Sequence, residues 1–251
     1  MKQIVSYGAG TNSTAMVIDM VNQGERIDAI VFSDTGGERP ETYQHLADFN
    51  AWLIERGYPE IETVRGYAKI GEDVIVETLE EECLLRTQLP GIIYGFGSCS
   101  DKWKKRPFKR WLKEKNWQDV TQFIGFDAGE PYRAERGDMF DEGYKKRYWL
   151  IERGLFRKDC IAIIEAAGIK PPGKSACFFC PSSKKHEILE LAKNNPALMR
   201  RALEIEQAAD LTSIKGLGRS WSWKELVEYD DAQNDLFECF IGIPCDCWDG
   251  A

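Results

Sequence analysis

Apolar and polar positions change period repeatedly along the first third of the chain. Residues 3–7 are a short apolar-leaning run that predicts a strand. After Gly8-Ala9-Gly10-Thr11-Asn12-Ser13, the apolar residues Ala15-Met16-Val17 and Met20-Val21 recur at helical spacing, and Gly24 stops the pattern. Ile27-Asp28-Ala29-Ile30-Val31-Phe32 predicts a buried second strand. Pro40-Glu41-Thr42 opens a helix running to about Arg56, with Gly57 as its cap. Ile61-Glu62-Thr63-Val64 alternates and predicts a third strand. Strand–helix–strand–helix–strand in this order specifies an α/β fold, with a parallel sheet and right-handed crossovers.

The pattern is weaker further on. Residues 66–98 are irregular, and Gly91-Ile92-Ile93-Tyr94-Gly95-Phe96-Gly97-Ser98 reads as a mobile loop over the site. Residues 103–115 predict a basic amphipathic helix with Trp103, Phe108, Trp111 and Leu112 on its apolar side. Residues 120–126 predict a fourth strand, and residues 147–167 are helical apart from a break near Gly154. At Lys170 the composition shifts to Pro171-Pro172-Gly173 and then cysteines, followed by a helical stretch at about 184–209. The expected division is therefore 1–168, an α/β domain, and 169–251, a mostly helical, cysteine-containing segment.

Composition narrows the function classes. The chain has 251 residues, 33 Lys+Arg against 41 Asp+Glu and a net charge of −8. It has no apolar run long enough to span a membrane and no signal-peptide core, so a cytoplasmic location is expected. In a reducing compartment its eight cysteines point to metal or redox chemistry rather than a disulfide framework. Net acidity argues against wholesale coating of nucleic acid. The basic stretch at 102–115 leaves room for a local phosphate or nucleic-acid contact, with Trp103 and Trp111 either stacking a base or packing on the sheet.

The first glycine loop carries the clearest chemistry. It leaves a strand and enters a helix, where small residues let backbone amides approach a phosphate and the helix end favours negative charge. No Gly-Lys-Ser/Thr follows, so it is not a Walker loop. Ser13 occupies the place of the last glycine in Gly-x-Gly-x-x-Gly.

Read with its flanks, Ser6-Tyr7-Gly8-Ala9-Gly10-Thr11-Asn12-Ser13 resembles the pyrophosphatase loop (PP-loop) of the adenine-nucleotide alpha-hydrolases, whose pattern is Ser-Gly-Gly-x-Asp-Ser. Gly8 stands for the first Ser, Ala9 for a Gly and Asn12 for the Asp. Ser33-Asp34-Thr35-Gly36-Gly37-Glu38-Arg39-Pro40-Glu41-Thr42 resembles the Asp-Thr-Gly-x-x-x-Pro-Glu-Thr segment of the phosphoadenosine phosphosulfate (PAPS) reductase branch. An aspartic protease would need a second such carboxylate, and the chain has one Asp-Thr-Gly. Cys99-Ser100 with Lys104 and Pro107, and Gly125 with Glu130 and Arg133, resemble later elements of the branch.

The resemblance implies a Rossmann-like domain binding ATP (or PAPS) with Mg²⁺. It places nucleotide contacts at Ser6, Tyr7, Gly8, Ala9, Gly10, Thr11, Asn12, Ser13, Ser33, Asp34, Thr35, Gly36, Glu38, Gly125 and Glu130. It gives chemical roles to Asn12, Ser13, Asp34, Lys104 and Arg133, with Asp34 compensating for the missing loop carboxylate. Two reactions follow from it: adenylation with pyrophosphate release linked to sulfur transfer, or thiol-dependent reduction of PAPS. Neither Glu238-Cys239-Phe240-Ile241 nor Cys245-Asp246-Cys247 matches the Glu-Cys-Gly-x-His tail of the reductases, which favours the ATP reading. A nucleotide-binding module without catalysis is the third reading. A nucleic acid or a sulfur-carrier protein is the implied acceptor, and a homodimer is compatible with all three.

Cys177-Phe178-Phe179-Cys180 is half of a metal site. Cys99 and Cys160 are its candidate completions, giving either a [4Fe-4S] cluster or zinc. Cys160 equally suits a small buried apolar position. His186 is a further candidate ligand, and His45 reads as a surface residue on its helix.

Overall fold

The computed structural model describes residues 1–95, 98–138 and 143–241. Its sheet has five strands in the order β3-β2-β1-β6-β7, formed by β1 (Lys2–Tyr7), β2 (Ala29–Asp34), β3 (Ile61–Arg65), β6 (Val120–Ile124) and β7 (Lys145–Arg147), all parallel. The strand predicted at 120–126 pairs directly with β1, in register Ile4 to Gln122. A small antiparallel ribbon, β4 (Ala68–Ile70) with β5 (Val74–Val76), occupies the irregular region after β3. The fold is α/β and Rossmann-like, as expected.

Alternation along the strands sends side chains to two cores. Val5, Tyr7, Ile30, Phe32 and Phe123 face one side. There they pack under α1 (Thr11–Asn22), α2 (Pro40–Ile54), α7 (Trp149–Glu152) and α8 (Arg157–Ala166). Ile4, Ala29, Val31 and Val120 face the other, under α5 (Arg106–Glu114). Burial on both faces is the reason these parallel strands read as near-continuous apolar runs. Trp103 and Trp111 are both buried; Trp111 projects from α5 into the core with Ile4 and Val31 and donates to Glu62 at 2.8 Å, so the tryptophans of the basic segment serve packing rather than stacking.

The remaining helices are α3 (Leu79–Leu85), α4 (Ser98–Ser100), which runs through a π turn at Asp101–Lys105 into α5, α6 (Pro131–Asp138), α9 (Lys185–Asn194), α10 (Pro196–Ala208) and α11 (Trp223–Ile241). Two compact units result. The first holds Met1–Leu79 with Gly97–Cys177, and the second Glu80–Phe96 with Phe178–Ala251. Residues 80–96, inside the first domain expected from sequence, thus group with the C-terminal part.

Within the second unit, Arg201 and Glu80 form an ion pair, and the buried Glu206 of α10 accepts hydrogen bonds from the amides of Leu217, Trp223 and Lys224. Glu206 thereby satisfies donors that the start of α11 would otherwise leave unpaired. Residues 91–94 form a 3-10 turn. Phe96 and Gly97 of the expected mobile loop, and the Cys245/Cys247 pair, lie outside the described residues. Among the described residues no helix is long and apolar enough to cross a membrane.

Candidate functional site

The order β3-β2-β1-β6-β7 reverses direction between β1 and β6, and the carboxyl ends of strands at such a point form a crevice in open α/β sheets. The loop Gly8–Ser13 leaves β1 at this position. Gly125 follows β6 and packs directly on it: a Cβ there would lie 2.9 Å from Ser13 Cα and 3.0 Å from Ser13 N. Only a residue without a side chain lets the two strand ends approach this closely.

The loop has features suited to an anion. Gly10 caps α1, and the first turn of that helix has no acidic residue, so its positive end is not offset. The amides of Gly8 and Gly10 each point at Ser13 Oγ over 3.3 Å, long contacts that a phosphate oxygen could replace. Ala9 adopts φ 54°, the left-handed region that favours glycine, in the place where the PP-loop pattern has one. Thr11 donates to the Pro172 carbonyl at 3.2 Å and Ser175 donates to the Gly8 carbonyl, which fixes the loop from outside.

Behind the loop lies a polar cluster that sequence reasoning missed. Tyr7 OH, Thr14 Oγ1 and His45 Nε2 are mutually within 2.9–3.1 Å. His45 is 8% exposed, not a surface residue. Burial lowers its pKa, and burial raises that of Tyr7 far above the usual phenol range, so both stay neutral. Tyr7 therefore braces the first turn of α1 from the core side and does not face the crevice. The signal available in sequence was the placement of His45 three residues after Thr42 and four before Phe49 on one helix face; both of those residues are buried.

Asn12 is held from three sides. Its Nδ2 donates to Asp127 Oδ2 at 2.9 Å and Glu130 Oε2 at 3.3 Å, and its Oδ1 accepts from Arg157 at 2.9 Å. Arg133 pairs with Glu130 at 2.7 Å. Asp127 and Arg157 were not singled out from sequence, because α8 brings Arg157 to the loop across the fold.

At the end of β2, Asp34 is 1% exposed and fully engaged. Oδ1 accepts from Gly36 N at 2.8 Å and Tyr43 OH at 2.9 Å, and Oδ2 accepts from Arg65 Nε at 3.0 Å and Nη2 at 2.8 Å. Gly36 sits at φ 73°, where an added Cβ would meet Thr78 Cγ2 at 2.5 Å. A cavity of about 400 Å³ opens here, lined by Phe32, Asp34, Tyr43, Leu46, Thr63 and Arg65.

Glu38 is the opposite case. It is 4% exposed, and neither carboxylate oxygen has a well-placed hydrogen-bond donor among the described residues. Lys104 Nζ stands 3.5 Å from Oε1, at the outer limit of a hydrogen bond. Burial raises the Glu38 pKa; Lys104 offsets this in part, and the nearby Asp34 adds to it. Lys104 is itself located by Ser33 Oγ, which donates to its carbonyl at 3.1 Å.

Two expected metal sites can be tested against these contacts. A divalent cation at the loop needs open oxygen ligands. The four lone-pair sites of Asp34 are taken, and Asn12 Oδ1 already faces a guanidinium, so Asp34 does not compensate for the loop amide. Among the described residues no group of three or more His, Cys, Asp or Glu is placed to hold a metal ion. Cys160 is 0% exposed within the apolar core, and burial pushes its thiol up to about 11. Cys177 Sγ lies 3.0 Å from Thr35 Oγ1. Cys99 is partly exposed, Cys180 belongs to the second unit, and His186 is exposed on α9.

No family model and no curated protein matches the chain. Among solved structures it is similar to a phosphoadenylyl-sulfate (PAPS) reductase from Candida auris in its phosphate complex. The identity is 16%, covering 68% of this chain and 75% of that one, with a TM-score of 0.40. It is also similar to the U34-tRNA thiolase NcsA from Methanococcus maripaludis with its [4Fe-4S] cluster. Here the identity is 15%, covering 82% of this chain and 72% of that one, with a TM-score of 0.49.

Proposed function

We propose that the chain is an ATP-using enzyme of the PP-loop type, which activates an acceptor by adenylation as the first step of sulfur transfer. The observation that carries this reading is the position of Gly8–Ser13: a loop whose cap residue is glycine and whose first helical turn has no acid, at the β1/β6 reversal and pressed against Gly125. The phosphates lie on the loop amides. The nucleoside extends toward the carboxyl end of β2, where Asp34, Tyr43 and Arg65 rim a cavity with Phe32 and Leu46 in its wall. An acceptor oxygen attacks the α-phosphorus, the bond to the bridging oxygen of the β-phosphate breaks, and pyrophosphate leaves with the charge that the start of α1 stabilises. A sulfur nucleophile then displaces AMP from the adenylated acceptor.

The surface favours a nucleic acid as acceptor. Lys105, Arg106, Lys109, Arg110, Lys113 and Lys115 are exposed on or beside α5, whose other face is buried.

The decisive test uses Gly10→Val. A Cβ at Gly10 would have Ser175 Cβ as its nearest neighbour at 3.5 Å, an ordinary contact, so the variant should fold and its effect reads the approach of a ligand. Calorimetry should show ATP binding lost in the folded variant; unchanged affinity would place the nucleotide elsewhere. Pyrophosphate release in the wild type separates adenylation from reduction of a sulfonucleotide, which releases none.

A further inference from the structure

We propose that Arg157, not a protein-held divalent cation, supplies the fixed positive charge beside the nucleotide phosphates. This rests on the nucleotide reading given above. Asn12 is the second residue of α1 and so lies at the phosphate end of the crevice. Its side-chain carbonyl accepts from Arg157 Nη1 at 2.9 Å, while its amide nitrogen bridges Asp127 and Glu130. These three contacts use the carbonyl and the amide in a single orientation, and a carboxylate could not make the two donations. The residue at position 12 therefore matches an arginine on one side and two carboxylates on the other.

Charge points the same way. Glu130 is neutralised by Arg133 at 2.7 Å. Asp127 accepts from the Gly129 amide at 2.8 Å and from Asn12. Arg157 is exposed, and its one hydrogen bond among the described residues is to Asn12, which leaves most of its five donors directed at solvent. A guanidinium presenting a free fork beside a helix N-terminus is the geometry that binds phosphate oxygens in pairs. A divalent cation at Asn12 Oδ1 would sit against that guanidinium. Magnesium can arrive on ATP, but it finds no ligand at this position.

The test measures the affinity of a non-hydrolysable ATP analogue by calorimetry, with Mg²⁺ and with EDTA, so activity is not the readout. The wild type should bind within about threefold under the two conditions. Arg157→Ala, at an exposed position, should fold and bind about tenfold or more weakly in both, the usual scale for a lost charge-assisted contact. Arg157→Lys should fall between them, keeping charge without the fork. Asn12→Asp should bind about tenfold more weakly in EDTA and recover with Mg²⁺, because the change places a third carboxylate beside Asp127 and Glu130. A tenfold loss of wild-type affinity in EDTA, or unchanged affinity in Arg157→Ala, overturns the proposal while leaving the nucleotide site standing. No binding by the wild type under either condition overturns the nucleotide reading itself.

Discussion

The turns that leave β1 and β2 are neighbours at one end of the sheet, and each leads into a helix, yet they are built from opposite materials. The β1 turn holds no carboxylate. Its polar groups are backbone amides, Thr11, Asn12 and Ser13, and the cluster behind it is kept neutral by burial. The β2 turn contains two buried carboxylates, Asp34 and Glu38, four positions apart. The first turn suits an anion. In the second, Asp34 is already saturated by Gly36, Tyr43 and Arg65, while the Glu38 oxygens are buried without such donors. For the proposed nucleotide, the contrast favours phosphates toward the β1 turn, which holds no carboxylate.

The strongest way to break the contrast is to displace the anion end as a whole. Gly125→Val forces a side chain against Ser13 Cα and N at 2.9 and 3.0 Å, and both contacts are backbone, which cannot rotate away. The expected cost is about 3 kcal/mol of stability, the upper part of the range for overpacking, with nucleotide affinity falling alongside. Thermal melts and calorimetry on the same sample check it. A variant that keeps both would mean the close approach is not what shapes the loop.

How far this site could be read from sequence follows from the range of each contact. The β1 and β2 turns were legible because their signals are local: small residues after an apolar run, and Pro40 at the first turn of a helix. The strand at 120–126 was legible as a strand. Its place beside β1 was not, since the pairing joins residues more than a hundred positions apart. β7 is only three residues, Lys145-Lys146-Arg147, and its charge hid it; Arg147 instead pairs with Glu152 and lies over Phe123 and Trp149. Cys160 shows the limit most clearly. A cysteine near a Cys-x-x-Cys suggests a ligand, but α8 turns it into the apolar core that also holds Val5 and Met16, and only the fold reveals which face it occupies. Arg157, three residues earlier on the same helix, reaches the loop for the same reason.

A second break acts on the nucleoside end. Asp34→Ala removes the acceptor of the Gly36 amide and the Tyr43 hydroxyl. Arg65 has a side chain 62% exposed and can turn to water, so its ion pair contributes little. The loss comes from the two less exposed donors and is expected near 2 kcal/mol in denaturant unfolding. A loss below about 0.5 kcal/mol would mean that Asp34 is not what fastens β2 to α2.

The smallest expected effect sharpens the comparison most, because it has the opposite sign. Glu38 has the burial of Asp34 without its hydrogen bonds, and burial holds its pKa above the ordinary carboxylate value. In the window between the ordinary and the raised pKa, the native state keeps a proton that the unfolded chain has released. Stability from this group is therefore full in acid, declines as pH rises through the window, and is level above it. Glu38→Gln removes the dependence: the amide has nearly the same shape and no charge to desolvate. Lys104, whose side chain is 40% exposed, turns toward solvent when its partner is neutral. The variant should melt like the wild type near pH 4 and become more stable than it toward pH 8, by on the order of 1 kcal/mol, since a buried, poorly paired charge is a net cost. Melting curves across that range decide it. A variant less stable than the wild type at pH 8 would show that the Lys104 pair outweighs burial, making Glu38 a fastener like Asp34. If stability rises as expected while ATP affinity falls, Glu38 is a destabilising group whose oxygens serve the nucleoside.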